Sequence, residues 1–282
     1  MKKYPFIFAV ILLLSIEASA QNVKFLTYNI RLNAQSDGDN AWNVRKIFLA
    51  EQIKFYAPDI VGTQEGLPEQ ISYLNRELTD DGYVGVGREG KTGEHTAIFY
   101  NKNRFEVLDQ ATFWLSATPR KVSMGWDAAY LRICTYALFH DKKTKSKFWV
   151  FNLHLDNEGE VARSESVSLI KSEIEKVNHP IYPVVLMGDF NALPESEVIE
   201  RIKNDFTSAE DLSICRPFGP SGTFNGFDFC KPVTRKIDYI FLKKPDAQST
   251  VSKYAVLSDS KDCRYPSDHL PVFVTIQFNK KK

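Results

Sequence analysis

The chain lacks the features that mark a nucleic-acid coat, a membrane protein or a zinc module. Its formal net charge is only +1 over 282 residues, whereas proteins that live on duplex DNA through counterion release carry a basic excess. Cysteine is scarce, and none of the four falls in a CxxC spacing, which argues against a zinc knuckle. There is no GxSxG elbow and no GxxxxGK[ST] loop, so two common nucleophile and phosphate devices are absent. No long Pro/Gly/Ser linker, internal repeat or low-complexity tract divides the chain. With 43% hydrophobic and 25% charged residues it reads as one globular domain over residues 21–282.

Only one apolar run is long. Residues 5–16 (PFIFAVILLLSI) follow Lys2 and Lys3 and precede Ala18-Ser19-Ala20, the pattern of a secretory signal peptide cleaved near Ala20. The run is short of the ~20 residues that span a bilayer, and no cysteine follows it to carry a lipid. The expectation is an exported, monomeric chain, periplasmic or secreted, without stable membrane insertion. Removing Lys2, Lys3 and Glu17 brings the net charge to zero. Export permits disulfides; Cys215 and Cys230 flank a loop-like stretch and are the expected pair, while Cys134 reads as a free core thiol. The lysines at 142, 143, 145 and 147 and at 280–282 read as a solvated turn and a tail.

Periodicity predicts strands at residues 23–30, 59–64, 96–100, 105–113, 132–139, 148–155, 181–187, 236–242, 254–257 and 271–277. Helices are expected at 43–56, with Val44, Ile47, Phe48 and Phe55 as its apolar positions, and at 69–78, 160–177 and 195–203. Several strands follow one another directly, so mixed sheets packed face to face with helices outside fit better than pure βαβ winding. The GVGREG at 85–90 matches GxGxxG, but a loop and a strand follow where a dinucleotide fold needs a helix. Arg88 in that loop is available to a phosphate.

Strand ends carry the chemistry. VVLMGDFNA puts Asp189 and Asn191 at the end of an apolar run; TYNI ends on Asn29, VGTQE on Glu65, and FNLHLD carries His154 and Asp156. KIDYIF holds Asp238 inside an apolar strand, and YPSDHLP presents Asp268 and His269 before the last one. Polar groups in or beside buried strands must be paired or must bind something. Carboxylate and amide oxygens suit Mg²⁺, Mn²⁺ or Ca²⁺, and histidine beside carboxylate suits acid–base work near neutral pH. Together they point to attack of water on phosphorus.

TYNI, QE, HLD, GDFN, IDYIF and SDH, in that order, resemble the endonuclease/exonuclease/phosphatase superfamily, with its deoxyribonuclease I-like fold. GVGR, GEHTAIFYN, TFWLS and GTFNGF further resemble exported bacterial members. The resemblance implies a four-layer α/β/β/α sandwich and a metal-dependent phosphoric ester hydrolase using Mg or Mn. It implies Glu65 as the main metal ligand, assisted by Asn29, with Asp268 beside the metal. Asp189 would activate water, Asn191 would hold water or phosphate, and Asp238 would fix His269 against the transition-state charge. His154 would contact phosphate and act as a possible general acid; Arg132, in YLRICTY, would meet phosphate. Asp156, Glu94, His95, Glu160 and Arg163 stand between pocket lining and packing, as do Trp114 and Trp126 between stacking and core. A phosphodiester, as in nucleic acid, is the first expectation for the substrate. The alternatives are a phosphomonoester, a lipid or inositol-phosphate head group, or a binding module without catalysis.

Overall fold

A computed structural model describes residues 22–245 and 249–278. The expected signal segment and the lysine tail at 280–282 lie outside the described residues.

Twelve strands form two six-stranded sheets. The first contains β1 (Val23–Asn29), β2 (Ile60–Gln64), β3 (Asp81–Val84), β4 (Ile98–Asn101), β11 (Ser249–Val256) and β12 (Val272–Phe278), in the order β11-β12-β1-β2-β4-β3. The second contains β5 (Phe105–Trp114), β6 (Ile133–Asp141), β7 (Lys147–His154), β8 (Val184–Asp189), β9 (Phe206–Ser208) and β10 (Asp238–Lys243), in the order β5-β6-β7-β8-β10-β9. Among the described strands, β1/β2 and β7/β8 alone pair with each other in parallel. In each case a helix lies between the two strands in sequence, as a parallel crossover requires: α1 (Trp42–Tyr56) and α3 (Glu160–Val177). With α2 (Pro68–Glu77) and α4 (Glu197–Lys203), these cover the outer faces.

Both faces of the central strands are therefore buried. Phe25 of β1 enters the core between the sheets, whereas Leu26 and Tyr28 pack under α1 and α2. The same alternation separates Val185 and Met187 from Val184 and Leu186 in β8. Each inward-facing row begins apolar and ends polar: Phe25, Thr27, Asn29 in β1, and Val150, Asn152, His154 in β7. In β8 it is Val185, Met187, Asp189, and in antiparallel β10 it is Leu242, Ile240, Asp238. A buried amide belt closes the core below the polar end. The Gln64 amide donates to Thr27 Oγ1 (3.1 Å) and Asn152 Oδ1 (2.7 Å), and Asn152 donates to the carbonyls of Thr63 and Ala97 (both 2.9 Å). Gly62 lets the sheets approach there, since a Cβ on it would lie 2.7 Å from Met187 Cε.

Four expectations need correction. On α1, Val44, Ile47 and Phe55 are exposed; Trp42, Arg45, Leu49, Ala50, Gln52 and Ile53 form the buried face. Apolar residues occur on more than one side of this helix, and two polar side chains are buried because they satisfy loops. Arg45 donates to the carbonyls of Ile30 (2.6 Å), Arg31 (2.7 Å) and Pro266 (3.2 Å), and Gln52 donates to Asp259 (2.9 Å). The expected end of β8 at residue 187 is also revised. The strand runs through Gly188 (φ +143°), where a Cβ would stand 2.1 Å from the Leu153 carbonyl oxygen. Cys215 and Cys230 are exposed free thiols rather than a disulfide, and Cys134 is buried. Strands β3 and β9 were not expected: both are short, and DGYV and FTS carry little β signal beside their turns.

Candidate active site

Registry assembles the site. His154 of β7 stands opposite Asp189 of β8, and Asp189 opposite Asp238 of β10, so three polar side chains form one rung of the second sheet. From the first sheet, Asn29 donates to Asp189 Oδ2 (3.0 Å) and to Glu65 Oε1 (2.9 Å). Glu65 follows β2 with a left-handed backbone (φ +64°), and its Oε2 accepts from the Leu32 N–H (3.0 Å). The loop before β12 supplies Asp268 and His269. It is tied down by Ser267 Oγ donating to the Asn29 carbonyl (2.7 Å) and by the Asn225 and Gly226 N–H groups donating to the Asp268 carbonyl.

These groups open onto one cavity of about 430 Å³. Glu65, Arg88, Arg132, His154, Asp189, Asn191, Asp268 and His269 all line it. Asn29 and Asp238 act from just beneath. The sequence reading missed Arg31, Tyr130, Phe224 and Arg235, which also line it, and left Glu94 undecided. Arg31 directly follows TYNI, and its neighbourhood to Asn29 is the signal that could have found it.

The electrostatics divide the roles. His269 Nδ1 lies 2.9 Å from Asp238 Oδ2, and Phe224 packs edge-on against the ring (5.1 Å). Burial alone would favour the neutral ring, but Asp238, Asp189 and Asp268 hold the His269 pKa up, at about 10. His269 is thus an imidazolium. His154 is the opposite case. Burial and then Arg132 push its pKa well below the ordinary range, and Arg132 Nη1 lies 3.0 Å from Nε2. A guanidinium can only donate, so His154 Nε2 is an acceptor and the ring is neutral. In that state His154 Nε2 accepts from Arg132 and carries no proton, with Asp189 Oδ2 3.5 Å away. Asp189 is pushed up to about 7, first by burial and then by Asp238, a value suited to a base near neutral pH. Asn191, in left-handed conformation (φ +46°), donates its N–H to Asp189 Oδ1 (2.9 Å) and its amide to the Leu155 carbonyl (3.0 Å).

The Asn29 Oδ1 accepts from the Arg31 N–H (3.0 Å) and its amide donates to Glu65 and Asp189, so Asn29 orients both carboxylates. Arg132 donates to Asp156 (3.1 Å), His154 and Asn157 (2.8 Å), so each of its nitrogens is engaged by protein. Arg88 likewise pairs with Glu94 (2.7 Å). Of the undecided residues, Asp156 anchors Arg132 and the N–H groups of Ala129, Tyr130, Glu158 and Gly159. His95 is buried with its Nδ1 near the Gly66 and Gly93 carbonyls, and Glu160 and Arg163 line a neighbouring cavity. Trp114 donates to the Arg88 carbonyl (2.6 Å); neither it nor Trp126 lines the cavity that holds the acids.

Glu65 and Asp268 fit a divalent cation. Both offer hard oxygens, and the Arg31 guanidinium already sits between them, 4.0 Å from Glu65 Oε2 and 3.9 Å from Asp268 Oδ2. Asp189, Asp238 and His269 also have ligand-type atoms within 4.8 Å of one another. There the shared Nδ1 proton already binds His269 to Asp238, so that trio reads as an ion-pair network.

The model of the endonuclease/exonuclease/phosphatase family matches residues 26–269. The chain belongs to that family. It has the deoxyribonuclease I-like fold. An endonuclease/exonuclease/phosphatase from Bacteroides vulgatus is 36% identical (TM-score 0.85), over 92% of this chain and all of that one. A Bacteroides thetaiotaomicron mannosyl-6-phosphatase is 33% identical (TM-score 0.86), over 91% of this chain and all of that one. The Ccr4 3′-5′-exoribonuclease subunit of Mycosarcoma maydis is 24% identical over 94% of this chain and 52% of its own length. The chain spans 64% of a mimivirus relative that is 29% identical over 58% of this chain, so about half to two thirds of these curated relatives is matched.

Proposed function

We propose that the protein hydrolyses a small phosphomonoester with water, assisted by Mg²⁺ or Mn²⁺ at Glu65 and Asp268. The observation that carries the reading is the cavity itself. It is about 430 Å³ and is lined by Asp189 and His269 together with Arg88, Glu94 and Tyr130, room for a phosphate and one ring-sized substituent. The similarity to a mannosyl-6-phosphatase over nearly the whole chain supports it.

In this reading Asp189 takes the proton of the attacking water. Asn29 and the Asn191 N–H hold the Asp189 carboxylate in place. The His269 imidazolium, charge-balanced by Asp238, faces the phosphate oxygens as their charge grows. A divalent ion between Glu65 and Asp268 would neutralise phosphate charge and polarise the ester. Export belongs to the same proposal, supported by Lys2-Lys3, the apolar run and Ala18-Ser19-Ala20; the N-terminal sequence of the protein purified from its native host tests it.

A second reading, phosphodiester cleavage, has one observation in its favour. An adjoining cavity of about 440 Å³ shares Asn157, Asn191 and Arg235 with the first, and could take a second substituent of phosphorus. Hydrolysis of p-nitrophenyl phosphate and bis(p-nitrophenyl) phosphate with Mg²⁺, Mn²⁺ or chelator separates the two. Monoester turnover that chelator abolishes is expected; turnover of the diester alone would overturn the first reading.

A further inference from the structure

Resting on the monoester reading, we propose that Glu94, Arg88 and Tyr130 recognise the alcohol half of the substrate, and that this half is a neutral, hydroxyl-rich ring, a sugar. All three line the cavity that holds Asp189 and His269. Glu94 is nearly enclosed, with a side-chain exposure of 13%. Its Oε1 forms an ion pair with Arg88 Nη2 (2.7 Å), and among the described residues its Oε2 meets no hydrogen-bond donor. The loop is tied twice, because the Arg88 N–H also donates to the Glu94 carbonyl (2.9 Å), and Trp114 holds the Arg88 carbonyl. The array is therefore prepositioned.

The placement of Glu94 is costly unless it serves a ligand. Burial raises its pKa, and its charge adds to those of Glu65, Asp189 and Asp268 in a cavity built to receive a phosphate. A carboxylate there repels a second anionic group and rewards a neutral one that donates hydrogen bonds. Vicinal hydroxyls are such a group: one donates to the carboxylate while its neighbour accepts from the guanidinium. Tyr130 stands beside this pair, half-exposed. The guanidinium carbons of Arg88 and Arg132 each lie over its ring, both 5.4 Å from its centroid, and hold it there. Its hydroxyl is another donor and acceptor for a polyol.

The test compares wild type with Glu94→Gln, which keeps the size of the side chain and removes its charge. The substrates are mannose 6-phosphate, glucose 6-phosphate, adenosine 5′-monophosphate and p-nitrophenyl phosphate. Wild type is expected to prefer the hexose phosphates to the nucleotide. Glu94→Gln is expected to raise KM for the hexose phosphates about tenfold with kcat within threefold, and to leave p-nitrophenyl phosphate within twofold; the melting temperature checks the fold. An equal loss on every substrate would place Glu94 in service of the phosphate and overturn the proposal. So would no change on any, or a wild-type preference for the nucleotide, in each case with the monoester reading intact. Wild-type turnover of diesters alone would overturn both.

Discussion

Asp189→Asn should inactivate the enzyme and stabilise it at the same time. Asp189 is 1% exposed, and its carboxyl is pushed up to about 7, against ~3.9 in an unfolded chain. The sign follows from proton linkage. Between these two values the folded state binds the extra proton, so stability falls as pH rises from about 4 to about 7 and stays reduced above that. Three units at ~1.4 kcal/mol each make this cost about 4 kcal/mol at pH 8, and under 1 kcal/mol at pH 4.5. An amide at 189 never ionises and escapes it. It meets a penalty of its own, because Asp189 Oδ1 and Oδ2 both accept, from the Asn191 N–H and the Asn29 amide. One of those donors must face an NH₂ group, at about 1–2 kcal/mol.

The net expectation is a variant more stable than wild type by about 2–3 kcal/mol at pH 8 and level with it, or slightly weaker, at pH 4.5. Urea unfolding of both proteins at the two pH values, with chelator present, reads this directly. Comparing the two proteins cancels titrating groups remote from Asp189, and His269, held up by Asp238 as well, stays charged at both pH values. Turnover should fall by roughly 10²–10⁴, the usual share of a general base. A stability difference that does not change with pH would refute the placement of Asp189 as a desolvated, charge-crowded carboxyl.

The same carboxyl sets the acidic limb of activity: kcat/KM should fall tenfold per unit below pH about 7, and a profile flat to pH 5 would contradict it. Gly188→Ala should cost about 2–4 kcal/mol in unfolding free energy, because its Cβ meets backbone, 2.1 Å from the Leu153 oxygen, at φ +143°. It should also cut turnover by moving Asp189; a melting temperature within a degree of wild type would count against that contact. Arg235→Gln should raise KM and weaken inhibition by orthophosphate about 10- to 100-fold, the loss of a charge-assisted hydrogen bond of ~1.5–3 kcal/mol. Unchanged orthophosphate inhibition would remove Arg235 from the phosphate site.

The sequence carried the acids better than the cations. Asp189, Asp238, His154 and His269 were legible because each breaks an apolar strand or abuts one, where an unpaired polar group is costly. Arg31 is marked only by its place after Asn29, and Arg45 and Arg235, each followed by a lysine, read as surface. Their positions depend on long-range contacts, such as Arg45 reaching the Ile30 and Pro266 carbonyls across the fold. The central strands and the helix intervals were legible from their apolar periodicity, whereas the short edge strands β3 and β9 were not. The buried face of α1 was not, because Val44 and Ile47 are as apolar as Leu49 and Ile53, and only packing against β1 and β2 distinguishes them. Protonation states were equally hidden. HLD and SDH look alike in sequence, yet Arg132 against one histidine and Asp238 against the other make the first neutral and the second cationic.

Charge pairing around the cavity decides which cations are available to a phosphate. Arg31 is held by Asp37 (2.9 Å), Arg88 by Glu94 (2.7 Å) and Arg132 by Asp156 (3.1 Å). Each would have to give up or share a charge-assisted bond to bind an anion. Arg235 packs over Phe224 (5.1 Å) and, among the described residues, has no carboxylate partner. His269 has one in Asp238, but only through Nδ1; its Nε2 points toward Asp189, 3.9 Å away, and keeps a proton to donate. In the proposed reaction, phosphate charge would be met first by His269 and Arg235, which flank the same Phe224 ring. Arg88 and Arg132 instead rigidify the wall around Tyr130. Such a division suits an enzyme that must release its phosphate, since a site with four unpaired guanidiniums would hold the product as firmly as the substrate.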